Sequence, residues 1–195
     1  MKVCACRMPC HPSLGVVHVP IVVRHHCSSV NEGLAQDLCS VQYTTFDEAL
    51  GMLQKLAKGA LMAKADIESA FRLLSVHPED TRLLEFTFEG QYFLDLCMPM
   101  GCSIACPVFE SFSRFLEWAV KDVADTDEVL HYLDDFLFMG PAGSTACGKA
   151  LLGFQQLARA LGPLAADKTE GPSTWITFLG IEIDSQAGMC RLPAD

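Results

Sequence analysis

Two hydrophobic periods alternate along this chain. Behind Thr45, a residue suited to capping a helix N-terminus, Phe46, Ala49, Leu50, Leu53 and Leu56 recur at helical spacing. That pattern predicts a helix over residues 45–58, with Gly59 as its stop signal. Pro107 opens a longer amphipathic stripe of Val108, Phe109, Phe112, Phe115, Leu116, Ala119 and Val120, since proline is tolerated in a first helical turn. A third helix is expected over residues 144–161. Around these stripes lie shorter apolar runs of strand length. Residues 60–67 suit a buried strand, and Glu85–Phe88 with residues 91–96 flank Glu89-Gly90 as a hairpin. Residues 131–140 form another apolar run, closed by Gly140-Pro141, and residues 175–183 alternate as a strand pair around Gly180.

The remainder is turn-like or aperiodic. Residues 68–74 suit a turn or short helix, while His77-Pro78-Glu79-Asp80 and Pro99-Met100-Gly101 mark loops. The amino end shows no clear period, apart from a short strand over residues 16–23 broken at Pro20. Strands and helices interleave without a βαβ repeat. The expected class is α+β, with helices packed on one face of an antiparallel sheet.

With half of its 195 residues hydrophobic and 19% charged, the chain can bury a real core and is globular, not disordered. No apolar run reaches the length of a membrane span, and residues 1–20 lack the charged-then-apolar layout of a signal peptide. An intracellular location, cytoplasmic or nuclear and away from membranes, is expected. Of the ten cysteines, Cys4, Cys6, Cys10, Cys27 and Cys39 crowd the amino end. Zinc at Cys4, Cys6, Cys10 and His11 would need a finger spacing that this run lacks, so reduced, partly buried thiols are expected. The net charge of −10 argues against a free-standing nucleic-acid binder.

Candidate chemistry centres on acids in apolar settings. Asp134 and Asp135 are adjacent within the run from His131 to Gly140, in a strand or at the tip of a hairpin. Burying two anions there is costly unless something neutralises them, and a divalent cation is the usual solution. Asp66 lies in a similar run. Three oxygen-donor residues on two apolar strands point to a magnesium site for phosphoryl or nucleotidyl transfer. Neighbouring strand residues face opposite sides of a sheet, so Asp135 is expected to be the weaker ligand unless a turn intervenes.

The order of three segments extends this picture. Asp66-Ile67-Glu68-Ser69-Ala70-Phe71, then Met98-Pro99-Met100-Gly101-Cys102-Ser103, then Tyr132-Leu133-Asp134-Asp135 resembles reverse transcriptase motifs A, B and C. Ala166-Asp167-Lys168-Thr169 is similar to motif D, and Thr177-Phe178-Leu179-Gly180-Ile181-Glu182 to the primer-grip motif E. The resemblance covers roughly residues 60–184. In wording it is most similar to the DIRS-type tyrosine-recombinase retrotransposons, with gypsy-type elements next.

The resemblance implies a polymerase palm, an antiparallel sheet with helices on one face, joined to a partial fingers subdomain. Residues 1–20 are unassigned, 21–59 would be partial fingers, 60–184 the palm, and 185–195 the start of a connection to an absent thumb. The parent polyprotein would also carry ribonuclease H. The implied activity is RNA-directed DNA synthesis on an RNA or DNA template with primer, from deoxynucleoside triphosphates. Two Mg²⁺ ions, with Mn²⁺ as the alternative, would be held by Asp66, Asp134, Asp135 and the backbone carbonyl of Ile67, with Asp66 and Asp134 as principal ligands.

Other roles follow the same resemblance. Lys168 would serve the triphosphate as general acid, and Phe71 would be the aromatic gate against a ribose 2′-hydroxyl. Pro99, Met100 and Gly101 would lie beside the incoming nucleotide, Met100 standing where retroviral enzymes carry Gln. Leu179 and Gly180 would lie under the primer strand, and Tyr132 would touch primer or template or pack in the core. Arg24, beside His25-His26 and ahead of Ser29-Val30-Asn31-Glu32-Gly33 in a finger-like segment, would hold triphosphate. Two alternatives stay open: an inactive relic or domesticated binding fragment of such an element, and an unrelated metal-dependent phosphotransferase with a coincidental acid triad.

Overall fold

The computed structural model describes residues 3–5, 16–17, 29–161 and 164–193. Arg24, the His25-His26 pair, Cys6, Cys10, His11 and Cys27 lie outside the described residues. Along the chain come β1 (Val3–Ala5), β2 (Val16–Val17), α1 (Phe46–Leu56), β3 (Leu61–Ile67), β4 (Ser75–Val76), β5 (Glu85–Phe88) and β6 (Gln91–Leu94). Then follow α2 (Ala105–Ala124), β7 (Val129–Tyr132), β8 (Asp135–Gly140), α3 (Ala146–Leu161) and β9 (Leu164–Ser173). The last strands are β10 (Trp175–Phe178), β11 (Ile181–Asp184) and β12 (Met189–Arg191). This is the expected α+β class, in which the principal sheet is antiparallel throughout. Among the described residues, no helix is long and apolar enough to cross a membrane.

Local sequence sets the helix ends. Thr45 and Glu48 form a reciprocal capping box at α1, the Glu48 carboxylate accepting from the Thr45 amide at 2.6 Å. Gly59 is not the stop for α1. The helix ends at Leu56 because Ala57 takes the reversal itself, at φ 65. Pro107 is the third residue of α2, where its missing amide proton leaves no hydrogen bond unmade.

The chain divides into two compact units. The first spans Met1–Val41 and Ser69–Ser111. In it β5 and β6 form the expected antiparallel hairpin, turning at Glu89 and Gly90, with β1 parallel to β6; β2 and β4 pair separately. Strand β6 stops at Leu94 and does not reach residue 96. There Asp95 turns its carboxylate to Arg72 Nη1 at 2.7 Å and to the Cys97 amide at 3.2 Å. Leu73, Leu74, Met98, Ile104 and Phe109 are buried within this unit. Cys97 is disulfide-bonded, against the expectation of reduced thiols, whereas Cys39, Cys102, Cys106, Cys147 and Cys190 are free.

The second unit spans Gln42–Glu68 and Phe112–Asp195. Its sheet has the order β7-β8-β3-β9. On one face, Phe154 of α3 packs 4.5 Å from Phe136 and 5.3 Å from Phe138 of β8, ring centre to ring centre. The opposite parity of β8, Leu137 and Met139, joins Met62 of β3 in a core with Ala49 of α1 and Ile176, Phe178 and Ile183 of the small sheet β10-β11-β12. Each of these side chains other than Ala49 contributes about 1.5–3 kcal/mol by leaving water.

Strand β9 has no counterpart among the sequence expectations. Its Asp167-Lys168-Thr169-Glu170-Gly171-Pro172 stretch is polar and carries residues that disfavour strands. Pairing to β3 overrides that preference, with register shifts on either side of Lys64. Gly171 is required where β9 crosses β3. It has φ +93, and a Cβ there would lie 2.5 Å from the Met62 carbonyl oxygen.

Candidate active site

The alternation of β3 puts Met62, Lys64 and Asp66 on one side of the principal sheet, with Asp66 at the end of the strand. Its register partner on β8 is Asp135. Directly opposed residues in an antiparallel pair project to the same face, so these carboxylates share a side. Asp135 also pairs with Tyr132 of β7, which leaves Leu133 and Asp134 as the two-residue turn of the β7–β8 hairpin. Leu133 takes φ 52, and the Ile67 amide donates to the Asp134 carbonyl at 3.1 Å. A turn therefore intervenes between the neighbouring acids, and simple strand alternation does not separate them.

Lys168 of β9 reaches the same place, its Nζ donating to Asp66 Oδ2 at 2.6 Å. Asp66 is buried, while Lys168 stays largely exposed. Burial is the main force pushing the Asp134 and Asp135 carboxyls above the usual carboxylate range. The charge of Asp66 adds to it at both, and that of Asp134 adds at Asp135, while Lys168 pulls both back in part. Lys168 is itself held above the ordinary lysine value, first by its hydrogen bond to Asp66 and then by that residue's charge.

These donors fit a hard divalent cation. Their oxygens are carboxylate, Asp66 and Asp135 are register partners beside the turn that carries Asp134, and burial with like charge raises the pKa of Asp134 and Asp135, which a cation would relieve. Among the described residues no three His, Cys, Asp or Glu side chains are already gathered as a cage. The Lys168 ammonium meets Asp66 in its place.

Other expected residues of this unit fall nearby or in its core. Leu179 and Gly180 form the β10–β11 turn at φ 48 and 75. Tyr132 packs against the Met62–Leu137 core and lies 4.9 Å from the Tyr43 ring. Lys64 was not anticipated. From the Asp66 face of β3 its Nζ donates to the Thr177 carbonyl at 3.0 Å and pairs with Glu170 at 3.1 Å, tying β3 to β10 and β9. Its signal was present in the sequence, two positions before Asp66 in an alternating strand. His131 of β7, buried, donates to Glu117 of α2, which also accepts from Lys121 at 2.6 Å.

The first unit carries Phe71, Pro99, Met100 and Gly101. Phe71 lies in the short helical turn Ala70–Leu73, its ring 5.5 Å from Phe109 and edge-on to it. Arg72 and Asp95 anchor that turn. Pro99, Met100 and Gly101 form an irregular loop in which Gly101 has φ +84 and Met100 is 83% exposed. Asn31 Nδ2 donates to the Gly101 carbonyl at 2.8 Å, and Asn31 Oδ1 accepts from the Ser103 amide at 2.8 Å.

The profile of the family described as "Reverse transcriptase (RNA-dependent DNA polymerase)" matches residues 19–183. No curated protein matches the chain. Among solved structures, the foamy viral protease-reverse transcriptase dRH in complex with double-stranded DNA is similar over 85% of this chain and 27% of its own, with 20% identity and a TM-score of 0.67. The foamy viral protease-reverse transcriptase in complex with RNA/DNA hybrid matches over 78% of this chain and 19% of its own, with 21% identity and a TM-score of 0.63. The native prototype foamy virus enzyme matches with 17% identity and a TM-score of 0.61. The likeness is one of fold, and the chain spans about a quarter or less of the first two relatives.

Proposed function

The chain belongs to the reverse transcriptase (RNA-dependent DNA polymerase) family, and from that membership we propose that it performs template-directed nucleotidyl transfer by a two-metal mechanism. The observation that supports the reading is the register pairing of Asp66 with Asp135, beside the turn that carries Asp134, with Lys168 bonded to Asp66. When bound, two Mg²⁺ ions would supply Lewis-acid activation of a primer 3′-hydroxyl and charge neutralisation on the leaving pyrophosphate. Asp66, Asp134 and the Ile67 carbonyl are the proposed principal ligands, with Asp135 beside them.

The remaining roles belong to the chain's own groups. Lys168, fully protonated at neutral pH, can leave Asp66 and give its proton to the pyrophosphate oxygen. Phe71, backed by Phe109, would exclude a ribose 2′-hydroxyl. Pro99, Met100 and Gly101 would face the nucleotide, and Leu179 and Gly180 the primer. We assign residues 21–59 to fingers and 60–184 to the palm. The proposed partners are a primer on RNA or DNA template and deoxynucleoside triphosphates, in a DIRS-type retrotransposon polyprotein that also carries ribonuclease H. Membership in an element of that type rests on motif wording alone.

One observation favours a second reading, an idle binding fragment: the net charge of −10 opposes a polyanionic template. Single-nucleotide primer extension on an RNA template with Mg²⁺ separates the two. The polymerase reading expects extension by the natural chain and none by Asp134→Asn. Absence of extension by folded natural chain would leave the binding reading.

A further inference from the structure

We propose that Asn31 is a positioning residue whose side-chain amide clamps the Pro99–Met100–Gly101 loop in the shape that meets the incoming nucleotide. The inference deepens the polymerase reading and rests on it for the identity of the ligand.

Every polar group of Asn31 is committed. Its backbone amide is received by Ser29 Oγ at 3.3 Å, and its carbonyl accepts from Leu34 N at 3.3 Å. These bonds close the one-turn helix Val30–Gly33 and fix the direction of the side chain. The amide then meets the loop with both ends, donating to the Gly101 carbonyl and accepting from the Ser103 amide, each at 2.8 Å. That pattern imitates a rung of backbone pairing across some seventy residues of sequence.

The loop needs such an anchor. Its amino side is fixed where the buried Met98 donates its amide to the Leu74 carbonyl at 2.8 Å. Its tip is exposed and carries a left-handed Gly101, a conformation with little intrinsic preference to persist. The Cys102 amide closes only a long 3.4 Å turn onto the Pro99 carbonyl. Asn31 is therefore a side-chain restraint that holds Gly101 and, through it, the facing of Met100. No other side chain is isosteric with Asn and also offers a donor and an acceptor in one plane. Asp keeps the acceptor for Ser103 and loses the donor for Gly101, and Ala loses both.

The variants Asn31→Ala and Asn31→Asp test this in the full chain, with two readouts. In Asn31→Ala the Ser103 amide should exchange with solvent about tenfold faster, and KM for the deoxynucleoside triphosphate should rise about tenfold with kcat within about twofold. In Asn31→Asp the Ser103 protection should persist while KM still rises. Unaltered Ser103 exchange in Asn31→Ala would overturn the clamp, as would faster exchange with unaltered KM. A natural chain that extends no primer would instead sink the polymerase reading, and the exchange result alone would then decide the clamp. Unchanged exchange across β3 shows that the variants remain folded.

Discussion

Asp66 and Asp135 are register partners, the last pair joining β3 to β8 before the turn that carries Asp134. Two acids at one rung repel, and like charges directly opposed weaken a sheet. Lys168, from the neighbouring β9, offsets that repulsion at Asp66. The ammonium would therefore compete with any cation for Asp66 Oδ2, and in the proposed reaction its proton would go to the leaving pyrophosphate. Lys168→Gln should lower kcat by about a hundredfold, within the range of lost general-acid catalysis. The same variant should tighten apparent Mg²⁺ affinity a few-fold. Single-turnover rates across a Mg²⁺ titration measure both effects, and a fall in affinity would contradict the competition.

Phe71 stands edge-on against the fully buried Phe109, with Arg72 and Asp95 pinning its turn. In the proposed gate role, a ring so braced would stand against a larger sugar. Phe71→Ala should reduce discrimination between deoxynucleotides and ribonucleotides by at least about tenfold, mostly by admitting the ribonucleotide. Competitive incorporation against a fixed deoxynucleotide measures it. An unchanged ratio would make Phe71 a packing residue.

Glu117 links α2 to β7 through His131 and to its own helix through Lys121. Burial alone would push its carboxyl up, but the hydrogen bonds from His131 and Lys121 outweigh burial and hold it below the usual carboxylate range. A group depressed on folding contributes stability that is present above its unfolded value, near 4.5, and lost as pH falls through the folded one. Glu117→Gln should therefore cost about 1.5–3 kcal/mol at pH 7 and progressively less below pH of about 4. Urea midpoints of the two proteins at pH 7 and pH 3 give the comparison; an equal loss at both would refute the linkage.

Gly171 combines φ +93 with a site where a Cβ would stand 2.5 Å from one backbone atom of β3 and 2.8 Å from another. Neither atom can yield without shifting the strand that carries Asp66. Gly171→Ala should destabilise the protein by at least about 1–3 kcal/mol. A thermal unfolding midpoint unchanged from the natural chain would show that β9 crosses β3 more loosely.

Much of this was legible from residue patterns, for reasons tied to particular positions. The Thr45 cap, the Glu89-Gly90 turn and the turn at Gly180 are local signals, and each formed where the pattern predicts, whereas the stripe of α2 holds at Phe109, Leu116 and Val120 but leaves Phe115 53% exposed. The helix end at Ala57 was not legible, because an alanine took the left-handed position while a glycine stood two residues on. Strand β9 was hidden because its stability comes from pairing with β3 and not from its own polar residues. The relation of Asp134 to Asp135 turned on a two-residue turn that periodicity alone leaves open. The contacts of Lys64 and Asn31 are not legible in the sequence because their partners, Thr177, Gly101 and Ser103, are distant along the chain.

We propose that Asp66, Asp134 and Asp135 form a two-metal site. The most direct test counts Mn²⁺ bound per chain, by paramagnetic resonance, in the presence of primer–template and a non-hydrolysable deoxynucleoside triphosphate. Two ions are expected for the natural chain and at most one for Asp134→Asn. Fewer than two ions in the natural chain, or equal counts in both proteins, would contradict it.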